Sequence, residues 1–279
     1  MTRRAVRSSA SAIEQRFYRY VEFDGQQLEI RSDVAEVRRR VDTTHALMLV
    51  PRATHLAGSI EILHAPDGYI FTSGKSTAYE SEELDYILDL LRDEIRGQFM
   101  RARPDLLWLH SAAVERERSA LLLSGPSGAG KSSLSTMLCE RGWRLMSDEV
   151  APLSMESDTV LPFFEQPRRR RYPGRGLENS LVSSLDRDPF PLADEDVCRV
   201  AADVCAAIFI AFEDGAEARI ERLPPGIAAM EFVRNAINFG DHKGAAVTRA
   251  ANAAKQLPSF RIVYGRAAEA AHLLDSYEF

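Results

Sequence analysis

Eight residues near the middle of the chain, Gly125-Pro126-Ser127-Gly128-Ala129-Gly130-Lys131-Ser132, satisfy every constrained position of G-x-x-x-x-G-K-[ST]. That spacing suits the binding of a triphosphate. Several negative charges crowd into a small volume, and backbone amides are donors compact enough to converge on them. Gly128 and Gly130 allow tight backbone conformations and keep a Cβ away from the phosphate oxygens. Successive amides then form a concave nest, and a helix starting at Lys131 adds the positive end of its dipole. The Lys131 ammonium can reach the β and γ phosphates of ATP and the Ser132 hydroxyl can ligate Mg²⁺, with Ser133 completing the nucleotide-binding stretch. The context agrees: Leu121-Leu122-Leu123 reads as a buried strand just before the loop, and an amphipathic helix follows it.

Chemistry on a bound triphosphate also needs carboxylates, for Mg²⁺ and for activating the attacking group. Two strands end in acids. One is Leu145-Met146-Ser147-Asp148-Glu149, and the other is Ile208-Phe209-Ile210-Ala211-Phe212-Glu213-Asp214. Spacing does not choose between them, since either pair could be a solvated turn. Topology leans modestly toward Asp148-Glu149, because a strand reached directly from the loop's helix often lies close to the loop's own strand.

Smaller signals are less specific. Arg168-Arg169-Arg170-Arg171, with Arg175 beyond, suits a clamp on phosphate or a dock for an acidic peptide, and equally a solvated basic loop. No aromatics interleave with these arginines and the net charge is -6, so a nucleic-acid partner is not expected. His242 and Lys243 read as a surface turn, and Trp108 and Trp143 as core. No Ser-His-Asp constellation and no metal-cluster spacing occurs.

The elements that must hold these groups divide at about Pro104. Before it, Tyr20–Phe23, Leu28–Ile30, Ala46–Val50, Ser59–Leu63 and Tyr69–Thr72 read as strands, with Asp24-Gly25 and Pro66-Asp67-Gly68 as turns. Val34–Val41 reads as a short helix, and Leu84, Ile87, Leu88, Leu91 and Ile95 predict a longer one over about Ser81–Met100. Residues 1–103 thus form a small α+β domain whose first ~17 residues are expected to be a flexible arm. Residues 104–279 read as an α/β domain. Strands are expected at Leu106–Val114, Ala120–Ser124, Trp143–Met146, Ala207–Phe212 and Phe260–Tyr264. Helices are expected from the glycine loop to Arg141, near Ile227–Ile237, over Ala245–Leu257 and at the C-terminus. The apolar runs fall far short of the ~20 residues of a membrane span. Three cysteines, Cys139, Cys198 and Cys205, suit a reducing cytoplasm.

The block Leu109-His110-Ser111-Ala112-Ala113-Val114, the P-loop, and Arg141-Gly142-Trp143-Arg144-Leu145-Met146-Ser147-Asp148-Glu149-Val150 resembles the HPr kinase/phosphorylase family. In that family a histidine precedes a strand, the P-loop follows, and a helix ending in Arg-Gly leads to a strand closed by two acids. Asn238–Gly244 and Phe260–Gly265 also look like segments of these relatives, so the likeness runs from about Asp105 to the end. It implies a P-loop kinase domain using ATP and Mg²⁺, with Asp148 as the acid that accepts the substrate hydroxyl's proton. Glu149 would assist with the metal, and His110 falls on the family's histidine near the phosphates. The implied acceptor is a serine of a peptide or small protein, as in relatives that phosphorylate lasso-peptide precursors, and the family is often homo-oligomeric. A small-molecule kinase and a nucleotide-dependent binding switch are the alternatives. The chain departs from the family in having Asp-Glu where phosphorylase-active members have Asp-Asp. Gly174-Arg175-Gly176-Leu177-Glu178 matches their downstream signature only loosely. Both departures weaken the case for the reverse reaction and for HPr itself as the substrate.

Overall fold

The computed structural model describes residues 16–51, 55–74, 77–166, 168–170, 187–189 and 193–279. The expected N-terminal arm up to residue 15, and Arg171 with the stretch Gly174–Glu178, lie outside the described residues. The chain is mixed α/β and divides into two compact units, one reaching Gln98 and one from Phe99 onward that also includes Thr44–Leu47.

The first unit holds β1 (Phe17–Phe23), β2 (Gln26–Ser32), all but the last residue of α1 (Ala35–Thr44), β3 (Leu49–Val50), β4 (Leu56–Ala65), β5 (Gly68–Ser73), β6 (Thr77–Ser81) and, as far as Gln98, α2 (Leu84–Ala102). Its sheet order is β3-β1-β2-β4-β5-β6. Asp24 and Gly25 both adopt positive φ, 45° and 76°, which is the two-residue turn that matches strand twist and closes the β1–β2 hairpin. The apolar stripe of α2 is buried at Ile87, Leu88, Leu91 and Ile95, and the Ser81 hydroxyl accepts the Glu83 amide at 3.1 Å just before the helix. One expectation needs correction, and one strand is additional. Ala46–Val50 is not a five-residue strand: Ala46–Met48 forms a 3₁₀ turn, and only Leu49 and Val50 pair with β1. An apolar run that short does not separate strand from turn by periodicity. Strand β6 was not anticipated, because Thr77-Ala78-Tyr79-Glu80-Ser81 carries no apolar alternation.

The second unit opens with β7 (Leu106–Leu109), β8 (Ser111–Arg116), β9 (Ser119–Ser124), α3 (Lys131–Cys139), β10 (Arg144–Ser147), β11 (Ala151–Ser154) and β12 (Thr159–Val160). It continues with β13 (Arg168–Arg170), β14 (Arg187–Pro189), β15 (Ala202–Phe212), β16 (Arg219–Arg222), α4 (Pro225–Asn235), α5 (Phe239–His242), α6 (Gly244–Gln256), β17 (Ser259–Tyr264) and α7 (Ala267–Asp275). The main sheet runs β10-β8-β9-β15-β12-β11-β7, with β17 beside β15 and β16 beside β17. Strands β9, β15 and β17 are mutually parallel, so their C-terminal ends share one edge. Both faces of these strands are buried, which explains their continuous apolar runs. Leu121, Leu123, Ile208, Ile210 and Ile262 pack with Leu134 and Leu138 of α3 and Leu274 of α7. Leu122, Ala207 and Phe209 point the other way, into a cluster with Phe232 of α4 and Ala250 and Ala253 of α6. The sheet is the middle layer of three.

Three expectations change here. The run Leu106–Val114 is two strands, broken at His110, whose amide goes to the Asn235 carbonyl at 2.7 Å instead of to a neighbouring strand. Strand β7 accordingly pairs with β11, while β8 pairs with β9 and β10. Arg168–Arg170 is not a loop but a strand, antiparallel to β14. Strands β11, β12 and β16 went unread, being short and lacking an apolar run. The strand after α3, expected close to β9, is parallel to it but one place removed, with β8 between them. Its ladder carries an irregularity between Leu145 and Ser147, which face successive residues Val114 and Ala113 of β8. Met146 is thus the extra residue of a bulge. The helix stop at Gly142 is present, at φ 90°, with its amide on the Cys139 carbonyl. No helix among the described residues is long and apolar enough to cross a membrane.

Candidate functional site

Strand β9 delivers the chain to Gly125 in the middle of the sheet, at the shared edge of the parallel strands. A Cβ on Gly125 would stand 3.0 Å from the Ile210 carbonyl, so glycine lets the loop leave tightly against β15. The loop then turns with Gly128 at φ 85° and Gly130 at φ 97°, both in the left-handed region. At Gly130 a Cβ would also lie 2.6 Å from the Tyr264 hydroxyl. The Ala129 amide closes back on the Pro126 carbonyl at 3.1 Å, and the Leu134 amide bonds the Gly130 carbonyl at 2.9 Å, which starts α3. Pro126, Ser127 and Gly128 are exposed, so the mouth of the loop opens to solvent.

Lys131 is buried at the first turn of α3. Its ammonium donates to the Gly125 carbonyl at 2.8 Å and the Pro126 carbonyl at 3.3 Å, and meets His110 Nε2 at 2.9 Å. An ammonium has only donors, so facing it His110 Nε2 acts as acceptor and the ring carries its proton on Nδ1. The break between β7 and β8 is what sets that imidazole beside the loop.

Asp148 follows β10 directly and is buried. Ser132 donates its hydroxyl to Asp148 Oδ2 at 2.9 Å, and Ser135, three residues along the same face of α3, donates to Oδ1 at 3.4 Å. Burial pushes the carboxyl up to about 6, although the bond from Ser132 opposes this. The charge of Glu149 adds to the rise, and Ser135 and Lys131 work against it. Glu149 itself is half-buried. The structure therefore brings His110, Lys131, Ser132 and Asp148 into one contiguous set, and Glu149 within electrostatic reach of it. The other acid pair has a different setting. Glu213 and Asp214 are exposed, and Glu213 faces Arg219 across 3.5 Å.

Sequence reasoning missed two members of this region. Ser135 was overlooked, although its spacing from Ser132 puts both on one helical face. Tyr264, the last residue of β17, is buried and donates its hydroxyl to the Ala129 carbonyl at 3.0 Å. Its signal was the alternation Phe260, Ile262, Tyr264 toward the α3 side of the sheet. Of the surface turn read at His242 and Lys243, Lys243 is exposed as expected, while His242 is half-buried beside Asn238. Asn238 is buried, accepts the Trp108 amide at 3.0 Å and donates to the Leu106 carbonyl at 3.0 Å, while His242 Nε2 lies 2.9 Å from the Asn238 amide. This segment fastens β7 in place. Trp108 and Trp143 are both buried as expected.

No protein-family model matches the chain, and no curated protein does. Among solved structures, the Hpr(Ser) kinase/phosphatase from Coxiella burnetii is similar at 15% identity, over 61% of this chain and 91% of that one, with a TM-score of 0.30. A likeness that loose does not carry function.

Proposed function

We propose that the second unit is an ATP-dependent P-loop kinase that transfers the γ-phosphate to a serine-type hydroxyl of a peptide or small protein. The observation that carries this reading is the bond from Ser132 to the buried Asp148, which joins the residue after the loop lysine to a carboxylate of raised pKa. Nucleotide binding alone would not require such a base.

The residues fit the groups the reaction needs. Left-handed glycines at 128 and 130 give the loop the shape of an amide cradle, and α3 starts at its end. Ser132 and Asp148, with Glu149 beside them, offer hard oxygens of the kind that suit Mg²⁺ when phosphate and water complete its shell. Bound ATP would supply the phosphoryl group, and the metal would offset its charge. Lys131 exchanges its loop carbonyls for phosphate oxygens, and His110 holds the ammonium near the mouth until it does so. Asp148 orients the acceptor hydroxyl and takes its proton. With a pKa of about 6 it is mostly ionised at neutral pH and more basic than an ordinary aspartate. The choice of a polypeptide acceptor rests on the resemblance of the residue 109–150 block to HPr kinases.

Incubation with γ-labelled ATP, Mg²⁺ and a lysate of the source cells tests the proposal. Label on a polypeptide serine is the expected outcome. Label on metabolites alone would reassign the acceptor, and ATP-dependent partner binding without any labelled product would make the chain a switch.

A further inference from the structure

Building on the kinase reading, we infer that Tyr264 is a positioning residue for the phosphate-binding loop, holding the Ala129–Gly130 peptide in the orientation that aims its amide at the bound phosphates.

The argument starts from the strand. Strand β17 lies parallel to β15 with Phe212 opposite Tyr264, so the phenol arrives at the edge from which the glycine loop departs. Its ring is buried, with the Phe212 ring edge-on at 6.1 Å, and its hydroxyl donates to the Ala129 carbonyl at 3.0 Å. The Ala129–Gly130 peptide is trans, so its carbonyl and its N–H point in opposite directions. Fixing the carbonyl toward the interior therefore turns the Gly130 amide outward, away from Tyr264. Without that hydroxyl the peptide unit would be free to rotate, because Gly130 tolerates a wide range of φ. Position 130 is matched to the arrangement, since the hydroxyl occupies the space a Cβ would need. Burial also keeps the phenol protonated, so it remains a donor across the working pH range.

The test is Tyr264→Phe, which keeps the ring and deletes only the hydroxyl. Calorimetry would measure affinity for ATP and for inorganic pyrophosphate, each with Mg²⁺, beside a thermal melt. Losing one positioning hydrogen bond should weaken both ligands roughly three- to tenfold. Equal loss on both is the signature, because the loop reads phosphates and not the base. Unchanged affinity in a folded variant, or a loss with ATP but not with pyrophosphate, would overturn the inference while leaving the kinase reading intact. If the wild-type chain binds neither ligand, the kinase reading itself fails. Should Tyr264→Phe not fold, Phe212→Ala decides the matter, because that ring is half-exposed and supports Tyr264 from outside. A loss of about twofold or more on both ligands supports the role, and unchanged affinity removes it.

Discussion

Strands β10 and β15 both run out of the same sheet into a pair of acids, and the two pairs end in opposite circumstances. Beyond β15, the strand directly beside β9, Glu213 and Asp214 sit in solvent and Glu213 faces Arg219. Beyond β10, one strand further from β9, Asp148 is buried and held by two hydroxyls of α3. Adjacency in the sheet is thus the weaker guide. What singles out Asp148 is the helix that starts at the loop and lies across to β10, so that Ser132 and Ser135 reach its carboxylate.

The comparison can be tested at several levels. The largest effect is expected from Lys131→Ala, which removes the one cation built into the loop: phosphoryl transfer should fall by about 10²-fold or more. Full activity in that variant would remove the loop from the chemistry. Next, Asp148→Asn should keep ATP affinity close to wild type while slowing transfer roughly 10²- to 10⁴-fold. The paired control, Glu213→Gln with Asp214→Asn, should change neither quantity appreciably. If the control loses transfer and Asp148→Asn does not, the assignment of the two acid pairs is reversed.

Acidity gives a third test. The folded carboxyl of Asp148 lies near 6, above its ordinary value, so transfer should decline as pH falls through about 6. Stability moves in the other sense. A carboxyl raised by burial supports the fold fully below its unfolded pKa, and that support is lost as pH rises through about 6. Nucleotide-free Asp148→Asn should therefore gain on wild type over that window, by on the order of 2 kcal/mol at pH 8 in urea denaturation. An advantage that persists undiminished at pH 4 would point to a cause other than the buried charge. The smallest effect belongs to Ser135→Ala. Its bond holds the Asp148 pKa down, so the acid limb of the activity profile should move upward by a few tenths of a pH unit.

Much of this was legible because the relevant signals are local. The glycine loop, the strand Leu121–Leu123 before it and the stop at Gly142 are set by neighbouring residues, and each was readable from them. The break at His110 was not, because the partner that captures its amide is Asn235, far along the chain. The same holds for Asn238, whose bonds to Leu106 and Trp108, far back along the chain, fasten β7 in place. Tyr264 showed only as one more apolar position in a strand, since its task depends on where the loop lies. Spacing alone did not choose between the two acid pairs, and only a modest lean from topology and the family resemblance pointed to Asp148, because the hydroxyls that hold it come from α3 and not from β10.

The bulge at Met146 carries a consequence for how this chain can vary. Along a strand, side chains alternate faces, so a one-residue change in length turns everything downstream over. The bulge takes up that change: Leu145 packs toward α3, Met146 into the opposite cluster, and Ser147 still meets the next residue of β8, Ala113, before the chain reaches Asp148. A residue added or removed between Leu145 and Asp148 would shift that carboxylate relative to Ser132 and Ser135 while leaving every side chain of the region present. Length, more than composition, is what this stretch has to keep.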